Sequence, residues 1–141
     1  MTIVVDASAM AELLVGSAIG MSVVDALAED SEWAVPEHFR LEVVSALRGR
    51  MLGGWLDEES FRDHLDQVAR AELDVVPTGP LLPRIGELAP NATPYDAAYL
   101  ALAEQLDAAV VTTDSKLASI PGIRCDVRTL TAGPVSGGGV R

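Results

Sequence analysis

The chain of 141 residues, 49% hydrophobic and 22% charged, is long enough for one domain of ordinary size, too short for two, and too apolar to be disordered throughout. Ten Lys and Arg against 21 Asp and Glu leave a formal net charge of −11, which excludes nucleic-acid binding through a broad basic face. Any phosphate it handles must be brought in by something other than its net charge, and a bound cation is the simplest agent.

The N-terminal Ile3-Val4-Val5 is an unbroken β-branched run, as expected of a strand covered on both faces. Asp6 follows at once and no basic region precedes the run, so no secretory leader is expected. Ala9 to Val15 reads as helix, and Gly20 opens a second through Leu27 and Glu29. The uncharged stretch Leu13–Val24 is interrupted by Gly16, Ser17, Gly20 and Ser22, well short of the roughly 20 apolar residues a membrane span needs. Trp33-Ala34-Val35 is a strand stopped by Pro36.

A helix is expected from Glu37 to about Leu52, with Phe39, Val43 and Leu47 on one face, ending at Gly53-Gly54. Asp57 caps the next helix, whose buried stripe is Phe61, Leu65 and Val68. Val75-Val76 is a third strand, followed by a helix around Leu81 to Leu88. Thr93-Pro94 starts a helix through Leu106, and Ala109 to Thr112 is a second core strand.

Ile123 to Leu130 supplies an edge strand in which the lone Cys125 is a small buried residue. A single cysteine forms no internal disulfide and no zinc cluster, which suits a reducing cytoplasm. Residues 1–130 are expected to form the domain, and 131–141, with Gly137-Gly138-Gly139, a mobile tail. Strands alternating with helices imply an α/β fold, a parallel β-sheet flanked by helices as an α/β/α sandwich.

Four acids stand in places that do not read as free surface. Asp6 ends the first strand and Asp114 follows Ala109–Thr112, so both belong to the C-terminal edge of a parallel sheet, where ligands of such sheets bind. Asp96 lies in the first turn of its helix, with Tyr99, Leu100 and Ala103 on its own face. Glu42 sits inside a helix between Leu41 and Val43.

Each acid alone has an ordinary explanation. Asp6 and Asp114 can cap helices, Thr93 to Asp96 has capping-box spacing, and Glu42 can pair with Arg48 or another arginine. Together they would gather like charges on one edge, which folds avoid unless a cation occupies the cluster. An all-oxygen donor set with no cysteine cluster suits Mg²⁺ or Mn²⁺.

The segments Ile3–Ser8, Pro36–Leu47, Tyr95–Ala103 and Val111–Asp114 resemble, in order, the successive motifs of PIN-domain ribonucleases. Size and spacing are most similar to the VapC toxins of bacterial toxin–antitoxin pairs, and the resemblance spans residues 2 to about 130. It implies a single PIN-like domain with Mg²⁺-dependent endoribonuclease activity. Asp6, Glu42, Asp96 and Asp114 would be the metal-binding catalytic quartet, supported by the hydroxyls of Ser8 and Thr112.

It further implies a VapB-like antitoxin that sets a basic side chain against the acids. Homodimerisation or a toxin–antitoxin hetero-oligomer would use apolar helix faces, with Leu13, Leu14 and the Phe39–Leu47 helix as candidates. After Asp114 the chain reads Ser115-Lys116-Leu117, without the further acid that some relatives carry.

Other features carry less. Arg40, Arg48, Arg50, Arg62 and Arg70 read as solvated helix charges, some placed to guide an RNA backbone. His38 and His64 lack a partner at ligand spacing and read as structural, and Trp33 and Trp55 as core or interface anchors. An aspartyl-phosphate transferase with Asp6 as nucleophile is disfavoured by Ser8, where that chemistry wants a second Asp. The non-enzymatic alternative is a catalytically silent PIN-like module that binds protein or RNA.

Overall fold

Five strands, β1 (Thr2–Val5), β2 (Glu32–Pro36), β3 (Asp74–Val76), β4 (Ala109–Thr112) and β5 (Val127–Thr129), form one sheet in the order β3-β2-β1-β4-β5. Every pairing is parallel. The structure is a computed structural model and describes residues 1–27 and 32–131. Ile3, Val4, Val5, Ala34, Val35, Val110 and Val111 are all but inaccessible, as an apolar run covered on both faces requires. Each fully buried Val or Ile of this kind contributes about 1.5–3 kcal/mol.

Six α-helices lie among the described residues: α1 (Ala7–Val15), α2 (Ala18–Leu27), α3 (Phe39–Leu52), α4 (Glu58–Arg70), α5 (Leu82–Leu88) and α6 (Pro94–Leu106). α1 packs on α2 and α3, and α3 on α4, whereas α6 lies across β1, β2 and β4 with α5 against it. Parallel crossovers are right-handed, so the chain builds outward from β1 to β3 under one helical layer and returns under the other to β4. The order therefore reverses between β1 and β4, and a crevice opens outside their C-terminal ends.

Local chemistry explains the element ends. Gly16 closes α1 in the left-handed region at φ 71°, and its N–H meets the carbonyls of Glu12 and Leu13. Asp57 caps α4 by accepting the Ser60 N–H at 2.7 Å, and Thr93 caps α6 by accepting that of Asp96 at 3.1 Å. Arg84 of α5 holds Glu104 of α6 through two bonds of 2.7 and 3.1 Å and donates a third to the Gly122 carbonyl. Among the described residues no single helix is long and apolar enough to cross a membrane; α1 and α2 meet at 115°.

Several expectations shift. α1 begins at Ala7, because Asp6 already stands at the cap position, and α3 begins at Phe39, because Glu37 and His38 form a turn. Pro36 belongs to β2, paired with Val76 beyond the last residue that pairs with β1, where its missing N–H is tolerated. The last strand is confined to Val127–Thr129, and Cys125 lies half-buried in the bend before it. Glu29 and all of the expected 131–141 tail beyond Thr131 lie outside the described residues.

Two of the arginines assigned to solvent are structural. Arg40 donates to the Val68 and Ala71 carbonyls at 3.0 and 3.1 Å, finishing the end of α4, and Arg50 pairs with Glu12 of α1. Phe39, Val43 and Leu47 are consumed by the chain's own core, so that face of α3 is closed to a partner. The helix's exposed apolar residues are instead Leu41 and Leu52, with Trp55 86% exposed just beyond.

The tightest joint is the α1–α2 corner, where a Cβ on Gly20 would overlap the Glu12 backbone carbonyl. Backbone cannot yield as a flexible side chain can. Gly20→Ala should therefore destabilise the protein by about 1–3 kcal/mol, read as a lower urea midpoint with unchanged slope.

Candidate active site

Asp6 leaves β1 with its backbone N–H bonded to the Val111 carbonyl of β4 at 2.9 Å. It occupies the cap position of α1, yet its side chain makes no capping bond. Its Oδ2 instead accepts from Ser8 Oγ at 2.8 Å and from the fully buried Thr112 Oγ1 at 2.6 Å. Those hydroxyls accept in turn from the Thr113 and Asp114 N–H groups, at 3.1 and 3.0 Å. Each hydroxyl thus gives its single proton to Asp6, and their mutual distance of 3.2 Å is an approach with no proton left to share.

The remaining acids arrive on separate elements. Glu42 projects from α3, and its Oε1 accepts from the Tyr99 hydroxyl of α6 at 2.6 Å. The same oxygen lies 3.1 Å from His38 Nε2, one turn earlier, in a contact not aligned as a hydrogen bond. Asp96 stands in the first turn of α6, and Asp114 accepts the Lys116 N–H at 2.9 Å in the turn after β4. Asp6, Glu42, Asp96 and Asp114 line one open cleft of about 320 Å³, together with Ser8 and Ser45. A larger cleft at the opposite end of the strands sets Arg124 and Arg128 beside its acids, whereas this one has no Lys, Arg or His in its lining.

That imbalance appears in the proton affinities. Burial raises the Asp6 pKa, the Thr112 and Ser8 bonds pull it back, and the charges of Glu42 and Asp96 push it up again, leaving it above the ordinary aspartate value. Burial also raises Asp96, helped by the charges of Asp114 and Glu42 and opposed by Thr93 and Lys116. Burial presses Glu42 upward too, but the His38 ring and the Tyr99 hydroxyl outweigh it and hold the carboxyl below its usual range. Burial and the neighbouring Glu42 keep Tyr99 a neutral donor.

All four predicted acids therefore reach one cleft, where Ser8 and Thr112 both bond Asp6. Glu42 finds its partners in His38 and Tyr99 and not in an arginine. His38 was expected to be structural, and Tyr99 was placed only on the helix face shared with Asp96, yet both touch Glu42. The i, i+4 interval from His38 to Glu42 was the available signal for the first. The Tyr99 contact crosses between helices and had none.

The donors available to a cation are carboxylate oxygens, with Asp6 Oδ1 and Glu42 Oε2 free of hydrogen bonds among the described residues. Such a set fits a hard divalent ion such as Mg²⁺ or Mn²⁺. Among the described residues no three His, Cys, Asp or Glu side chains form a ready-made metal cage. The fit is therefore of the kind Mg²⁺ favours, one or two carboxylates completed by waters and phosphate oxygens.

A family model described as the PIN domain matches residues 3–123. Ribonuclease VapC1 of Mycobacterium tuberculosis is 36% identical over 126 residues, covering 89% of this chain and 95% of that protein. VapC ribonuclease Mb0985 of Mycobacterium bovis is 32% identical over 125 residues, with 89% and 95% covered. A crystal structure of VapBC2 from Rickettsia felis, bound to a DNA fragment from their promoter, aligns with TM-score 0.66 and 14% identity over 93% of this chain and all of the other. PAE2754 from Pyrobaculum aerophilum aligns with TM-score 0.65 and 23% identity over 90% and 83%.

The raised carboxyls have a consequence for stability. Asp6 and Asp96 bind protons more tightly folded than unfolded, so metal-free stability should fall as pH rises from the ordinary aspartate value of 3.8 through their folded values. Glu42 acts oppositely, its contribution being lost as pH falls through its lowered value. Asp6→Asn keeps an oxygen for Ser8 and Thr112 and removes the charge. In melts with EDTA across a pH series, it should flatten the decline and match or exceed wild-type stability at neutral pH.

Proposed function

The chain belongs to the PIN-domain family, and we propose that it is a metal-dependent endoribonuclease of the VapC type, the toxin of a toxin–antitoxin pair. One observation carries this reading: four acids from four separate stretches of sequence line a single cleft at the strand switch point, with no cation in its lining. Similarity to Ribonuclease VapC1 over 95% of that protein's length supports RNA as the substrate class.

In this reading Asp6 and Asp96 are the primary ligands of Mg²⁺ or Mn²⁺, and Glu42 and Asp114 orient water or complete a second site. When bound, the metal polarises the phosphate and makes water a stronger nucleophile. The chain supplies the rest. Ser8 and Thr112 fix one oxygen of Asp6, so its other oxygen meets the cleft in one orientation. Lys116, exposed two residues past Asp114, offers a positive charge to a backbone phosphate. Without metal the acids repel a phosphodiester, so substrate and cation enter together.

A VapB-like antitoxin would restrain the enzyme by setting a basic side chain against these acids, in a cytoplasmic hetero-oligomer that includes toxin dimers. The similarity in fold to the VapBC2 toxin–antitoxin structure supports a partner of this kind. The faces available for such contacts include Leu41, Leu52 and Trp55.

Purified protein should cleave a mixed RNA pool with Mg²⁺ and stop with EDTA. Asp96→Asn should reduce cleavage by more than about 100-fold, beyond the usual effect of losing an outer-shell partner, while its circular dichroism stays that of wild type. RNA binding without cleavage under any divalent ion would identify a silent binding module instead.

A further inference from the structure

Glu42 is anchored from the opposite helical layer, by Tyr99 of α6. Tyr99 is fully buried at the centre of the α6 face that packs on the sheet, a place where phenylalanine would fill the same volume. A buried hydroxyl needs a partner, and this one donates across the helix layers to Glu42 Oε1 at 2.6 Å. His38 presses on the same oxygen at 3.1 Å, with its ring edge-on to Tyr99 at 5.4 Å. Both neighbours converge on Oε1, and Oε2 takes no bond among the described residues.

Asp6 shows the same division, since Ser8 and Thr112 both engage Oδ2 and leave Oδ1 free. We infer that Tyr99 is a positioning residue that ties up one oxygen of Glu42, so that the carboxylate offers only its other oxygen to a divalent cation. The physical reason lies in Mg²⁺ itself. It demands near-octahedral geometry and retains water, so a carboxylate free to turn both oxygens inward would misplace the other ligands. A charge-assisted bond from the rigid core prevents that turn without adding charge to the cleft. His38 completes the clamp from Glu42's own helix, whereas Tyr99 ties it to the other helical layer. The inference rests on the proposed metal reading of the cleft, taking Glu42 as a carboxylate that completes a site beside Asp6 and Asp96.

The test is a double-mutant cycle read by calorimetry with Mg²⁺ alone, on the full chain without RNA. Tyr99→Phe keeps the ring in the core and should weaken Mg²⁺ binding roughly tenfold or more, the usual effect of removing an outer-shell partner. Glu42→Gln should weaken it as well, and adding Tyr99→Phe to Glu42→Gln should change nothing further, because Tyr99 acts through Glu42. An unchanged Mg²⁺ affinity in Tyr99→Phe, or the same loss in both backgrounds, would overturn the inference while leaving the metal site standing. Absence of Mg²⁺ binding in the wild type would overturn the metal reading and this inference with it. In the unaltered protein, the Tyr99 ring signals should shift as Mg²⁺ saturates the site; signals that stay fixed through saturation would count against the clamp even if the variant failed to fold.

Discussion

The parallel pairing of β1 with β4 is the junction on which the rest of the molecule depends. It registers Val5 with Val111 and bonds the Asp6 N–H to the Val111 carbonyl, so that Asp6 and Thr112 emerge side by side where the strand order reverses. Two strands that emerge together with their crossovers departing in opposite directions cannot cover their own ends. Everything the cleft contains is a consequence of that opening. The hydroxyls that fix Asp6, the turn that carries Asp114 and the first turns of α1 and α6 are all within reach of it.

Holding four carboxylates there is unfavourable by itself, and the surrounding structure is arranged to bear it. The strands beneath are buried on both faces, and α6 sets an unbroken run of buried residues, Ala97 to Ala103, directly behind Asp96. Stability is supplied by packing that has nothing to do with the acids. Asp6 is held by short bonds from the neutral donors Ser8 and Thr112, and Glu42 by one from Tyr99 with the His38 ring beside the same oxygen. A neutral donor orients a carboxylate while leaving its charge uncancelled, whereas an arginine would orient it and neutralise it. Arg40 and Arg50 of α3 turn away to the Ala71 carbonyl and to Glu12, which keeps these two charges off the cleft and also ties α3 to α1 and α4.

The strands and helices were legible wherever the signal was local. The β-branched runs at Ile3–Val5 and Ala109–Thr112, the Asp57 and Thr93 caps and the glycine pair after Leu52 depend on neighbours in sequence, and they lie where periodicity and capping chemistry put them. The misplacements share a different cause. Pro36 sits inside a strand because the neighbouring β1 ends before it, and the final strand shortens to the three residues that β4 can pair. Phe39, Val43 and Leu47 were recognisably one apolar face, but only packing decided that it faces the chain's own core.

The identity of the acidic set was determined by sequence alone, because topology follows from the order of strands and helices, and parallel strands place whatever follows them on one edge. Asp6, Thr112 and Asp114 inherit their position from that rule, and Asp96 from its helix's first turn. The tertiary structure decided how each acid is held. Glu42 meets Tyr99 over a separation of 57 residues, and Asp6 meets Thr112 over 106, and such contacts leave no periodic trace in the chain. His38 alone among these partners is local, one turn from Glu42. Its closeness to the acid's oxygen depends on the Tyr95 and Tyr99 rings packed edge-on against it, which only the folded chain brings there.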